Sequence, residues 1–342
     1  MIDTIKIYTM IDNSLYNHLY NNSTIKTSYD KSTGQVFYEI VNNSLEGSYS
    51  SSLSIRIGNG NKYKFFDNYY IEIEGSYHKF IKGYNSHNGF YNLNLIVSNL
   101  INIVETNYNI QLPTLNHWFL QRIDIALCYN LESQDKVQTY IDNLSSCTFP
   151  KRKIKHYESE SIYISGNTTT LKIYNKQKEF LEHDIRKLQN TDFNVYNYLN
   201  EIAGFIRFEC EIKKAKLKYI YKEQHIRVNS LSYKELENIC KKEFSILFKN
   251  IETDLQKVYK KEDVKKRLNS LFKPVRATNL FKFFLIIKSE GLQEIKKITG
   301  KSMYYKNISD LKHANIDFSQ TMDNDYNIRD IDFNPFTHQE IL

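Results

Sequence analysis

TLKIYNKQKE, residues 170–179, decides how the chain is read. Leu171 and Ile173 alternate with Lys172 and Tyr174, the period of a strand buried on one face. Lys172 and Tyr174 therefore share the other face. From Asn175 the spacing turns helical, with Phe180, Leu181, Ile185 and Leu188 on one side. A phenol thus sits where a strand hands over to a helix, flanked by Lys172, Lys176 and Lys178. That is a setting in which a tyrosine can attack a phosphodiester. A half-buried strand tyrosine beside solvated lysines reads the same way, and the chain has 27 tyrosines, so the surroundings must decide.

Working outward, three further strands repeat the pattern of an apolar side and a charged side. YYIEIE (69–74) puts Glu72 and Glu74 opposite Ile71 and Ile73. WFLQRIDIALCYN (118–130) sets Arg122 and Asp124 against Ile123 and Ile125. GFIRFECEIKK (204–214) shows Arg207, Glu209 and Glu211 on one face and Ile206, Phe208, Cys210 and Ile212 on the other. Strands are also expected at 3–9, 35–41 and 52–58, with helices at 93–110 and 133–144. The segment SYHKFIKGYNSHNGF and the basic KRKIKH (151–156) are expected to be loops. The reading is an α+β fold, an antiparallel sheet with helices against its apolar face. Carboxylates that converge on the other face repel one another unless a cation lies between them. Hard oxygen ligands suit Mg²⁺ or Mn²⁺, so Asp124, Glu209, Glu72 and Glu74 are candidate ligands.

From Ser232 the chain is helical to about 316. TNLFKFFLIIKSEG is expected to end at Gly291. LQEIKKI, the turn TGKS and MYYKNISDLKHANI then have the shape of a helix-turn-helix, with Lys301 and Lys306 where DNA contacts are made. The domain reading is 1–225 for the sheet, 226–320 for a helical DNA-binding part and 321–342 for a flexible acidic tail. Of the 46 Lys and Arg, 33 fall in 151–301 against 19 acids. An excess of 14 in that stretch suits a polyanion. The four cysteines, Cys128, Cys147, Cys210 and Cys240, lie far apart and form no CxxC pair, so reduced thiols are expected and neither a disulfide frame nor a zinc site is suggested. No apolar run is long enough for a membrane span and no signal peptide is evident, so a cytoplasmic location is expected.

Taken in order, these segments resemble the gene II replication-initiator proteins of filamentous phages and related phage and plasmid initiators of rolling-circle replication. The resemblance rests on MID at the N-terminus, Lys79, Gly83 and Asn85, RIDIA (122–126), TLKIYNKQKE, GFIRFECEIKKAKLK (204–218) and a weaker likeness to the C-terminus. It implies a tyrosine-nickase palm in which Tyr174 is the nucleophile, with Lys176 and Glu179 as motif residues and Lys172 beside them. It implies acidic positions at Asp124 and Glu209, and DNA contacts from Lys79, Asn85, Arg122 and Arg207. The superfamily's His-x-His metal motif is absent; Arg122-Ile123-Asp124 occupies the corresponding strand, and the loop residue His87 is a further candidate. Lys178 stands where paired-tyrosine relatives carry a second tyrosine, leaving Tyr163 as the nearby substitute.

The implied activity is metal-dependent nicking of one strand of origin DNA through a 5′-phosphotyrosyl link, followed by rejoining. Double-stranded and single-stranded DNA, a host helicase and a host polymerase are the expected partners. The competing reading is a non-catalytic DNA-binding repressor or replication-control protein. RNA binding by aromatic strands is a third.

Overall fold

The structure is a computed structural model, and it describes residues 1–65, 68–145, 152–157, 160–188, 191–255, 261–316 and 335. The strands are β1 (Ile2–Ile11), β2 (Thr24–Tyr29), β3 (Val36–Glu46), β4 (Ser52–Asn59), β5 (Tyr69–Gly75), β6 (Phe119–Asn130), β7 (Lys153–Tyr157), β8 (Ser161–Ser165), β9 (Thr169–Asn175), β10 (Phe205–Lys213) and β11 (Ile226–Arg227). Helices α1 (Asn13–Asn21), α2 (Tyr77–Lys82), α3 (Leu93–Tyr108), α4 (Gln134–Ser145), α5 (Lys176–His183), α6 (Ile185–Leu188), α7 (Val195–Glu201) and α8 (Lys214–Tyr221) lie between or beside them. The chain continues through α9 (Tyr233–Leu255), α10 (Lys261–Leu271), α11 (Pro274–Ile298) and α12 (Lys301–His313).

The strands pair antiparallel in the order β2-β3-β4-β5-β1-β6-β10-β9-β8-β7, with β11 added to β6. Antiparallel pairing with one covered face gives the alternation seen in the sequence. Ile5, Ile7, Ile71, Ile73, Ile123, Ile125, Phe208, Cys210, Leu171 and Ile173 are all buried on the apolar side. Phe208 meets Tyr140 of α4 and Phe244 of α9 edge-on, at ring-centroid distances of 6.2 and 5.3 Å. At roughly 25 cal/mol per Å² of apolar surface removed from water, this layer is the main source of the sheet's stability.

The chain divides into two compact units. One holds the sheet and the described residues up to Ser245; the other begins at Ile246. The sheet unit therefore extends past the 1–225 limit read from the sequence, because Leu236, Cys240 and Phe244 in the first half of α9 are core residues. The second unit has its own apolar cluster, built from Val264, Leu268, Leu280, Phe284, Ile295 and Leu311.

Several local expectations are corrected. Residues 153–157 form β7, which pairs with β8 from Lys153 opposite Ser165 to Tyr157 opposite Ser161. SYHKFIKG contains helix α2, capped by the Ser76 hydroxyl and closed by Gly83 at φ 80°. A side chain at Gly83 would also collide with the Tyr49 ring. The strand read at 204–214 spans Phe205–Lys213, and α8 takes up the rest of the 204–218 stretch. α11 runs 25 residues, straight through Gly291, and joins α12 by Thr299 and Gly300. Arg276 near the start of α11 binds Asp310 (2.9 Å) and Asn307 (2.7 Å) of α12, so the two helices form a hairpin. Cys128, Cys210 and Cys240 are free thiols. Cys147, Lys151 and the 321–342 tail, apart from Pro335, lie outside the described residues. No helix among the described residues is long and apolar enough to cross a membrane.

Candidate active site

β9 and β10 build the site. Their register sets Tyr174 opposite Arg207 and Lys172 opposite Glu209, so Tyr174 and Glu209 are diagonal neighbours on one face. The Tyr174 hydroxyl donates to Glu209 Oε1. The next residue, Asn175, caps α5 by accepting from the backbone N–H groups of Gln177 and Lys178, and donates to Gln134 at 2.6 Å. Strand and helix are thereby locked together one residue beyond the phenol.

Arg207 is fully buried beneath this pair. It donates to Glu209 Oε1 at 2.9 Å, Asp3 Oδ1 at 2.7 Å and the Ser86 carbonyl at 2.7 Å. A guanidinium with its donors spent inside the protein is a brace, and Arg207, expected among the DNA contacts, has no exposed surface in this structure. Asp3, whose role the N-terminal MID motif does not reveal, arrives through a bulge in β1. Ile2 and Ile5 pair with Ile125 and Ile123, so one residue between them is extra.

Charge on this face is balanced by lysine and arginine. Lys172 lies 3.2 Å from Glu209 and 3.9 Å from Asp124. Asp124 takes both its near bonds from Arg122, at 2.8 and 2.6 Å. Glu72 and Glu74 gather around Lys6, at 2.9 and 2.8 Å, Lys62 adds 2.8 Å to Glu72, and Arg122, 3.4 Å from Glu74, links this group to Asp124. The four acids expected around one cation are thus strung along the face, with Lys172, Arg122 and Lys6 standing between successive carboxylates. Among the described residues, no group of three or more His, Cys, Asp or Glu side chains is placed to hold a metal ion. The carboxylates do not fit a divalent ion as they stand.

Ionisation follows from burial and these partners. Burial raises the Tyr174 phenol well above 10, and Arg207 only partly offsets it. Burial also works against the charge on Glu209, but Arg207 and Lys172 outweigh it and hold that carboxyl below its ordinary range. Burial and the neighbouring Glu209 push Asp3 the other way, upward. Burial likewise lifts Asp124, to about 7, against the pull of Arg122 and Lys172.

The phenol borders a cavity of about 220 Å³ with Glu209, Lys172, Asp3, Tyr163 and Glu179 among its lining. Lys176 does not line it; wholly buried, it pairs with Glu179 at 2.5 Å and holds that carboxylate at the wall. Lys172 also lies 5.9 Å from the Tyr163 ring centre, which places the second candidate tyrosine in the same cavity. Lys79 is bound to Asp184 at 2.8 Å, and Asn85 also binds Asp184 through its backbone N–H, at 2.9 Å. Those two residues tie α2 and the loop after it to Asp184, the residue that follows α5. His87 lies 3.4 Å from Glu201 and is not among the cavity's lining residues. Lys301 and Lys306 are exposed on α12 in the second unit.

Cross-strand pairing is what the sequence could not display. The shared face of Tyr174, Glu209 and Lys172 follows from alternation, but Asp3 needs the bulge and Arg207 needs the register. No curated protein matches the chain. Residues 1–234 match the family defined by the N-terminal region of the phage replication-associated protein of gene II, and the chain belongs to that family, the one its short motifs resemble.

Proposed function

We propose that this protein initiates rolling-circle replication by nicking one strand of origin DNA with Tyr174. The observation that carries the reading is the Tyr174–Glu209 hydrogen bond at the wall of a cavity that Lys172 also lines. The Tyr174 oxygen attacks the scissile phosphorus, its proton passes to Glu209, and the bond to the 3′-oxygen breaks as that oxygen takes up a proton from water. The product is a 5′-phosphotyrosyl link and a free 3′-hydroxyl that a host polymerase can extend. One phosphodiester replaces another, so the reverse attack rejoins the displaced strand.

The resting site is poorly set for that proton transfer, because the phenol is held high and Glu209 low. A phosphate entering the cavity competes with Glu209 for Lys172. Once Lys172 turns to the phosphate, Glu209 becomes a stronger base where the charge develops. Divalent cations enter this reading only through rearrangement, since Lys172 and Arg207 occupy the carboxylates. Cleavage that persists in chelator is the outcome expected of the site as it stands. Cleavage abolished by chelator, and restored by Mg²⁺ or Mn²⁺, means that the carboxylates regroup around an ion.

The test is incubation of the purified protein with supercoiled circular DNA carrying its origin, followed by mapping of the tyrosine bound to the 5′ end. Tyr174→Phe should form no adduct and still bind DNA. An adduct on Tyr163 in the wild-type protein would move the nucleophile one strand over. The burial of Tyr174, 6% exposed, favours a second reading, in which the network is a polar brace in a non-catalytic DNA-binding protein. That protein would form no adduct with any DNA.

A further inference from the structure

β10 connects the Tyr174 cavity to a second, chemically different surface. At its far end α8 carries Lys214 and Lys218, with Lys222 as its cap, at four-residue spacing and hence along one side of the helix. Lys62 and Lys64 come alongside from the turn before β5, and with Lys218 they depress the Lys214 ammonium, after burial itself. Lys214 lies 5.4 Å from the Tyr63 ring centre, and Lys62 lies 5.1 Å from it. Around Tyr174 each cation has a carboxylate partner. Here, among the described residues, Lys64, Lys214 and Lys222 have none, and Lys218 binds only Gln224, at 2.6 Å.

Backbone strain points the same way. Lys64 (φ 63°) and Lys222 (φ 59°) both occupy the left-handed region at the end of a helical turn. Glycine or asparagine fits there with less strain. The fold therefore keeps two lysines where they cost backbone energy and repel their neighbours, with no carboxylate among the described residues to offset the charge. Beside Lys222, whose ammonium is 4.4 Å from its ring centre, Tyr219 is 69% exposed. Tyr219, Lys218 and Lys222 border an open depression of about 370 Å³.

We propose that this lysine–tyrosine surface binds single-stranded DNA, holding the unpaired strand that leads to the nicking cavity. Phosphates would relieve the repulsion among the lysines, and an exposed ring offers bases a stacking platform that a closed duplex does not use. From Arg207 to Lys213 is six steps of β10, roughly 20 Å at about 3.4 Å each. A strand stacked at about 3.4 Å per nucleotide covers that in about six nucleotides. The proposal rests on the nicking reading for its placement, but the binding itself can be tested without nicking.

The experiment measures fluorescence anisotropy of labelled oligothymidylate, and of a duplex of equal length, against the full chain over a range of salt. Lys64→Gly with Lys222→Gly relieves the strain while removing two cations. The expected result is an unchanged or higher melting temperature with single-strand affinity several-fold weaker. The slope of log affinity against log salt should fall by about 1.4, at about 0.7 for each phosphate no longer neutralised. Lys214→Gln with Lys218→Gln should weaken binding likewise. Unchanged single-strand affinity and slope in both folded variants would overturn the proposal, as would an equal loss on duplex and single strand. Oligothymidylate has no origin to cut, so failure of the wild-type protein to nick its origin would sink the nicking reading alone.

Discussion

Tyr174 and Glu209 share one hydrogen bond, yet their removal should have unequal costs. Phenylalanine at 174 loses that bond, a net cost of about 1 kcal/mol, and Glu209 keeps its two cations. Glutamine at 209 removes the carboxylate that Arg207 and Lys172 share, leaving Arg207 with Asp3 and Lys172 with Asp124 at 3.9 Å, a loss of about 3 kcal/mol in this buried setting. Calorimetry should rank Glu209→Gln well below Tyr174→Phe in stability; equal melting temperatures would show the ion pairs to be idle. The pH dependence has a definite sign. The folded-state pKa of Glu209 lies below its ordinary 4.5, so its contribution is present above about 4.5 and is lost as pH falls through the folded value. Glu209→Gln should therefore flatten the acid side of the melting-temperature profile. The sequence shows that Tyr174, Lys172 and Glu209 share a face, because alternation does not depend on partners. It does not show which cation meets which acid. Lys172 and Lys176, which flank the phenol in the sequence, are paired with Glu209 and Glu179.

Elements are legible in the sequence where one period dominates. β6, β9, β10 and α3 have clean alternation or helical spacing, and each lies where that pattern puts it. α2 is hidden because its Ser76 cap and Gly83 stop look like loop residues until read as the two ends of one short helix. β7 is hidden by its lysines, which a strand at the end of the sheet tolerates on its solvent side. Gly291 misleads in the opposite way: Ile287 and Ile295 are buried on either side of it, and that burial outweighs the roughly 1 kcal/mol that glycine costs inside a helix. The junction between β9 and α5 depends most on a single residue. Asn175→Ala removes the acceptor for two N–H groups and the hydrogen bond to Gln134, costing about 1–2 kcal/mol. For a unit of this size that is a fall of roughly 2–8 °C in melting temperature. Nicking should fall with it at temperatures where the variant is still folded, because the phenol is the preceding residue. A variant with wild-type melting and wild-type cleavage would show that α5 does not hold Tyr174 in place.

At the scale of the whole molecule, chemistry and charge are divided between two units. The carboxylates, the phenol and the α8 lysines belong to the unit that ends at Ser245, whereas Lys301 and Lys306 stand on α12 in the other. Phosphate contacts give affinity without sequence information, and base contacts give specificity. If α11 and α12 supply the origin contacts, the two properties should separate when the chain is cut after α9. A chain ending at Leu255 keeps α9 whole, and with it the buried Leu236, Cys240 and Phe244. It should still bind oligothymidylate through the α8 lysines and still cleave a single-stranded oligonucleotide carrying the nick sequence. On duplex DNA its preference for the origin over unrelated sequence should drop toward unity. Competition binding with origin and scrambled duplexes measures that ratio directly. A truncated chain that keeps full origin preference would place sequence recognition in the sheet unit and leave the exposed lysines of α12 without that task.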